Sequence, residues 1–321
     1  MIIEGLDEAV LAGQPRAMAR AITLAEIGGE DAAQLIEKLR PAARRGHLIG
    51  LTGAPGSGKS SLICKLAMEF RARGRSVGVI AVDPSSPFSG GAVLGDRVRM
   101  TELASDPGVF VRSMASRGRT GGLAAAVEDA AVVLRAAGMD IILLETVGVG
   151  QGEVDVASAV QTVVVMLTPG MGDEIQSLKA GLLEVADIYV VNKSDLIGAD
   201  SVARSLQAAA MQPEGAWTRP VLQTSAISSE GVPALANAID GHREYLRSHR
   251  VPSEQEIRLT YKSILSIAGR QLIAQLESQV EPKQLKRLAA EVAAGTLEPR
   301  DAAKKAVSLF LEVQFRLATI K

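Results

Sequence analysis

The residues best placed to do chemistry form an uninterrupted octet, Gly53-Ala54-Pro55-Gly56-Ser57-Gly58-Lys59-Ser60, a complete G-x-x-x-x-G-K-S. Glycines at these positions let successive backbone N–H groups turn inward around phosphate oxygens. The spacing predicts that Lys59 reaches the β- and γ-phosphates of a nucleotide and that the Ser60 hydroxyl ligates Mg²⁺. The octet follows a short apolar run at 47–52 and precedes a helical run beginning at Ser61 and ending near Arg71. That is the strand-loop-helix setting the motif requires, and the helix adds the positive end of its dipole to the phosphate grip.

A second motif bears on the base. The apolar run 187–191 ends in Asn192-Lys193-Ser194-Asp195, an N-K-x-D. The Asp195 carboxylate can accept from the guanine N1–H and exocyclic amine together, whereas adenine offers no such pair and leaves the acceptor unsatisfied. Lys193 is expected along the base plane and Asn192 as a tie between neighbouring loops. Thr224-Ser225-Ala226 ends another strand-like run, and the N–H groups of Ser225 and Ala226 are expected to meet the guanine O6. The nucleotide implied is GTP or GDP.

Further acids sit at or just beyond strand ends: Asp83 after the run 77–82, Asp96 in the glycine-rich stretch 89–96, and Glu145 after 141–144. Mg²⁺ held by a hydroxyl and phosphates keeps waters that such carboxylates orient, so Ser60, Asp83, Asp96 and Glu145 are the expected metal-side residues. In Glu145-Thr146-Val147-Gly148 the glycine is placed to donate its N–H to a γ-phosphate and so to sense hydrolysis. Lys59, Glu145 and Gly148 are the expected catalytic group. Gln151 lies three residues past Gly148 instead of beside it, and is read as a switch residue without a catalytic role.

Stepping along the chain, β-branched or apolar runs at 47–52, 76–82, 109–112, 140–145, 162–168, 187–191 and 220–224 alternate with helix-like segments. This rhythm predicts an α/β fold with a mostly parallel sheet flanked by helices. Residues 1–45 read as a helical N-terminal extension and 46–252 as the nucleotide-binding domain. Residues 253–321 read as a helical arm whose apolar stripe (Ile257, Tyr261, Ile264, Leu265, Ala268, Leu272, Leu276) either folds back or forms a dimer interface.

Composition excludes several classes. The net charge is −1, which offers no electrostatic case for nucleic acid or an anionic membrane. The single cysteine, Cys64, cannot build a disulfide framework or a thiolate zinc site. No apolar run reaches membrane-spanning length and the N-terminus lacks a basic-then-apolar leader, so a cytoplasmic location is expected.

Three longer stretches resemble the signature of the MeaB/ArgK/MMAA GTPases. They are Val82-Asp83-Pro84-Ser85-Ser86-Pro87-Phe88-Ser89-Gly90-Gly91-Ala92-Val93-Leu94-Gly95-Asp96-Arg97, Glu145-Thr146-Val147-Gly148-Val149-Gly150-Gln151 and Pro169-Gly170-Met171-Gly172-Asp173-Glu174-Ile175-Gln176. The resemblance spans the whole nucleotide-binding region. It implies a P-loop GTPase of the SIMIBI class, a homodimer, and association with an adenosylcobalamin-dependent acyl-CoA mutase whose cofactor loading and protection it gates. It further implies that segment 170–179 is an extra switch, with Asp173, Glu174 and Lys179 as polar contacts to the mutase. The partner, and not this chain, is then expected to hold the cobalamin. Neither a resident arginine finger nor an adjacent glutamine is evident, so slow intrinsic hydrolysis accelerated by the partner is expected.

Competing readings are a metallocentre-assembly GTPase, a protein or arginine kinase, and a nucleotide-gated scaffold. The first needs clustered Cys and His. Cys64 is read as a small packed hydrophobe, His47 as a strand start, and His242 and His249 as a solvated helical face. The second needs a base for its acceptor, and none is identifiable.

Overall fold

A computed structural model describes residues 4–43, 45–83, 103, 105–115, 122–146, 159–170, 185–210, 217–249 and 254–319. In chain order the elements are α1 (Leu6–Leu11), α2 (Pro15–Ile27), α3 (Glu30–Leu39), β1 (His47–Gly53), α4 (Lys59–Ala72), β2 (Val77–Asp83) and β3 (Val109–Ala115). There follow α5 (Gly122–Ala136), β4 (Ile141–Glu145), β5 (Thr162–Leu167), β6 (Ile188–Asn192), α6 (Ala199–Ala209) and β7 (Val221–Thr224). The chain closes with α7 (Val232–Ser248), α8 (Glu254–Gln279), α9 (Pro282–Ala293) and α10 (Pro299–Thr319).

All seven expected strands are present. The largest difference is β3, which runs past 112 to Ala115 on the edge of the sheet, with Arg112 reaching α2. Its guanidinium donates to Thr23 Oγ1 and Glu26 Oε2 of α2, both at 2.9 Å. The strands form one sheet in the order β3-β2-β4-β1-β5-β6-β7, every pair parallel. Strands buried on both faces need no polar alternation, which is why β5 reads Thr-Val-Val-Val-Met-Leu and is buried throughout.

Alternate residues feed opposite layers. Leu48, Ile80, Phe110, Ile142 and Leu144 point to a layer of α1, α2, α3 and α5, where Val10, Met18, Ile22, Leu35 and Leu39 share their buried cluster. Ile49, Leu51, Val79, Leu143, Val164 and Val190 face Leu62, Leu66 and Phe70 of α4 and Leu235 and Ile239 of α7. Each such fully buried Leu, Ile or Val stabilises the fold by about 1.5–3 kcal/mol relative to exposure. Local signals set the helix ends: Pro15 opens α2, and Gly28, at φ 77°, stops it.

The chain divides into two compact units, Met1–Ser263 and Ile264–Lys321, with the boundary inside α8. In the second unit α9 packs along α10 and Phe310 is buried. On α8, Ile257, Tyr261, Ile264, Leu265 and Leu272 are exposed. Among the described residues no helix is long and apolar enough to cross a membrane.

Candidate functional site

Strand order gathers the motifs. β1 lies between β4 and β5, and the chain crosses from one half of the sheet to the other there, the place where ligands bind an open parallel sheet. The loop 53–58 leaves β1 at this point and α4 begins at Lys59, so the first-turn N–H groups of α4 open onto the loop. Gly58 has φ 90°, and a Cβ there would fall 2.6 Å from Asn192 Nδ2, so neither the backbone turn nor the space admits another residue. Ser57 donates its own N–H to the Ala54 carbonyl (3.2 Å).

Lys59 is buried, and its ammonium donates to the carbonyls of Gly53 (2.7 Å) and Ala54 (3.1 Å). The charge is thereby folded back over the loop instead of extending into water. Ser60 Oγ donates to Glu145 Oε1 at 2.6 Å, with both side chains buried. Register explains the meeting: Glu145, last residue of β4, stands beside Leu51 of β1, and Ala81 of β2 stands beside Glu145. Asp83 ends β2 two residues further on, at the same edge of the sheet. A hydroxyl and a carboxylate held together at this depth form an all-oxygen donor set that suits Mg²⁺. Ser57 Oγ and Thr52 Oγ1 are also buried here, without hydrogen-bond partners among the described residues.

The base motif is tied to the phosphate loop through one side chain. Asn192, buried at the end of β6, donates Nδ2–H to the Ser57 carbonyl (2.8 Å) and accepts from Thr224 Oγ1 (3.1 Å) at the end of β7. Sequence reasoning left Thr224 out of the site. Its signal was available in the Thr-Ser-Ala that ends β7. Lys193 takes a left-handed φ of 58°, turning the chain so that Ser194 N–H bonds the Thr224 carbonyl (3.0 Å). Asp195 is exposed, and its Oδ1 accepts from Ser225 Oγ (2.9 Å). The Ser225 N–H, expected to meet the base O6, is committed to the Glu230 carbonyl (3.0 Å) by a short bridge. The Ser225 hydroxyl is the group that meets the N-K-x-D motif, through Asp195. Asp96, Gly148, Gln151, Asp173, Glu174 and Lys179 lie outside the described residues.

One expectation is overturned at the opposite end of the strands. His242 is buried instead of solvated, because α7 turns it under the strands. Its Nδ1 is 2.8 Å from Thr162 Oγ1, which is 2.7 Å from His47 Nε2; its Nε2 is 3.6 Å from Asp187 Oδ1. The Trp217 ring lies tilted against His242, with centroids 4.8 Å apart, and donates Nε1–H to the Asp187 carbonyl (2.8 Å). Burial, then the charges of Arg243, His242, Arg135 and Arg247, push His47 down to about 3. Only His249 is exposed as expected, and Cys64 is buried.

A strand-loop-helix phosphate cradle at the switch point of a parallel sheet, with N-K-x-D two strands away, defines a P-loop nucleotide-binding protein of the GTPase kind. The family model "Methylmalonyl Co-A mutase-associated GTPase MeaB" matches residues 18–281, and the chain belongs to that family. A Pyrococcus abyssi protein is 43% identical over 309 residues, covering 94% of this chain and 95% of its own. GTPase ArgK of Escherichia coli is 36% identical over 237 residues, 71% of this chain and 72% of that one. The mitochondrial methylmalonic aciduria type A homolog of Mus musculus is 36% identical over 253 residues, 72% of this chain and 60% of that one. A crystal structure titled LAO/AO transport system kinase superposes with a TM-score of 0.68 at 24% identity, over 96% of this chain and 97% of that one, a likeness of fold.

Proposed function

We propose that this protein hydrolyses GTP to gate cofactor loading into, and protection of, an adenosylcobalamin-dependent acyl-CoA mutase. The observation that carries the reading is the family match over 18–281 together with the intact phosphate and guanine motifs inside it. In this reading Lys59 turns from the loop carbonyls to the β- and γ-phosphates, where its charge offsets the charge that builds up as the γ-phosphoryl group transfers to water. The loop amides and the α4 N-terminus hold the remaining oxygens. Ser60 and Glu145, with Asp83 and Asp96, would hold Mg²⁺, which would supply positive charge to offset that of the phosphates. Asp195, aligned by Ser225, selects guanine, and Asn192 keeps base and phosphate subsites in register.

Gly148 reports the γ-phosphate, and Gln151, Asp173, Glu174 and Lys179 pass the nucleotide state to the mutase. The chain works as a homodimer through the exposed stripe of α8, within an arm formed by residues 253–321. It acts in the cytoplasm, and the mutase carries the cobalamin. Hydrolysis is slow alone and faster with the mutase. Phosphate release is measured with and without a cobalamin-dependent acyl-CoA mutase, alongside pull-downs of that mutase in GDP and in a non-hydrolysable GTP analogue. Stimulation and nucleotide-dependent capture are expected. Equal rates together with no capture in either state would remove the chaperone role, and phosphate from labelled GTP arriving on a protein or arginine instead of water would favour a kinase.

A further inference from the structure

Two isoleucines stand out beside the base motif. Among the large apolar side chains described ahead of α8, Ile197 and Ile227 are the most exposed, at 102% and 88%. Each lies two residues beyond a member of the Asp195–Ser225 pair, whose side chains meet at 2.9 Å. One exposed apolar side chain needs no explanation, but two flanking the carboxylate placed to read a base do.

The backbone brings them to one place. β6 and β7 pair in register, Asn192 beside Thr224, so the loops that leave them start side by side. The loops are tied twice, by Ser194 N–H on the Thr224 carbonyl (3.0 Å) and by Ser225 Oγ on Asp195 Oδ1. The β7 loop is short and closed: Ser225 and Glu230 form an antiparallel bridge, and Ser229 takes a left-handed φ of 63°. A Cβ on Gly231 would collide with the Gln223 carbonyl, so the turn is pinned back against β7 before α7 begins. Between the bridge partners stand buried Ala226 and exposed Ile227, Ser228 and Ser229. Turn positions of this kind ordinarily carry polar or small residues, and Ile227 is the large side chain of the four. Two chain steps, at most roughly 7 Å, separate its Cα from that of Ser225.

The β6 loop takes another course. Leu196 N–H bonds the Lys193 carbonyl (3.0 Å) and Gly198 caps α6, so the chain beyond Asp195, Ile197 included, turns away into a helix. Lys193, ahead of Asp195, is the residue expected along the base plane. A purine held by its edge on Asp195 has two faces, and the β7 loop is the element left to cover the second. We propose that Ile227 is the apolar wall of the base site, packing on the guanine ring opposite Lys193. The inference rests on the guanine reading given above and adds to it a contact with the ring face, which the polar motif does not supply. A β-branched side chain on a pinned turn has few rotamers to lose, and a ring laid on it removes apolar surface from water without moving the backbone.

Calorimetric titration of the full chain with GDP in magnesium excess tests this. Ile227→Ser should weaken GDP binding about fivefold, the effect of withdrawing one face of an isoleucine from contact, and Ile227→Leu should restore most of the affinity. The nucleotide-free melting temperature of both variants should match wild type, because the side chain is exposed. Ile197→Ser, at a comparably exposed position, should bind GDP as wild type does. Inosine diphosphate, whose base lacks the exocyclic amine but keeps the ring, should lose the same factor as GDP in Ile227→Ser. Wild-type affinity in Ile227→Ser overturns the wall and leaves the guanine reading standing, whereas a wild-type chain that takes up no GDP removes that reading and the wall with it. A loss seen with GDP but not with inosine diphosphate also overturns the proposal, since it puts the side chain at the amine and not on the ring face. An equal loss in Ile197→Ser overturns the assignment to Ile227.

Discussion

The two ends of the sheet solve opposite problems with the same strands. At the ends where the strands finish, helix N-termini and loop amides concentrate positive potential from the backbone itself. The side chains there, Lys59, Ser60, Glu145 and Asn192, are bonded to loops or to one another within 2.6–3.1 Å. At the ends where the strands begin, helix C-termini face the solvent, and the positive charge is supplied by arginines around a buried histidine-threonine-histidine chain. Backbone-built potential is fixed by the fold and tolerates a tight, glycine-dependent loop. Side-chain-built potential needs partners from three elements and is tuned by burial. The lesson is that function at the first end depends on single residues of a contiguous motif, and integrity at the second on long-range pairs.

Substitutions at the two ends should therefore separate activity from stability. Lys59→Ala is expected to lower GTP turnover about 10³-fold or more, roughly 4 kcal/mol, with little change in melting temperature; phosphate release and thermal unfolding check both halves. At the far end, His47 is held below its ordinary value in the folded state, so the unfolded chain takes up the proton first as pH falls. Its contribution is intact above about pH 6.5 and is lost progressively toward about pH 3, on the order of 4 kcal/mol. Urea unfolding of wild type and His47→Gln at pH 7 and pH 4 should show a smaller pH effect in the variant; identical pH effects would remove His47 as the cause.

Asp195→Asn should cut the preference for GTP over ATP about 10²-fold while leaving the fold intact, and an unchanged preference in nucleotide competition would overturn the base assignment. Thr162→Val removes the hydroxyl between the two buried imidazoles and should cost about 1–3 kcal/mol of stability without affecting GTP binding. Smallest of all, Ser57→Ala should leave stability within about 1 kcal/mol of wild type, or raise it, since the buried hydroxyl has no partner among the described residues. A large loss of nucleotide affinity in that variant would instead give the hydroxyl a ligand.

What could be read in advance follows from how contacts are distributed along the chain. The strands were legible because a parallel sheet covered on both faces demands short, unbroken, β-branched runs such as Val163-Val164-Val165. The phosphate loop was legible because its ligand is gripped by adjacent backbone groups. Glu145 was read with Ser60 as a metal-side residue; the direct hydrogen bond between them, across 85 residues of chain, comes from strand order. His242 was misread because helical periodicity gives a face but not what the face meets, and α7 lays that face under β5 and β6. The bond from the Ser225 amide to Glu230 was not legible because it depends on a turn, with Ser229 at φ 63°, that composition does not announce.

The sequence alone determined which elements form and which short motifs grip phosphate and base, because apolar periodicity and contiguous backbone donors are local properties of the chain. Tertiary structure alone decided which distant side chains meet: Ser60 with Glu145, Asn192 with Ser57 and Thr224, and His47 with Thr162 and His242. The physical reason is that strand order and register set distances between residues far apart in sequence, and hydrogen bonds and charge pairs exist only at those distances.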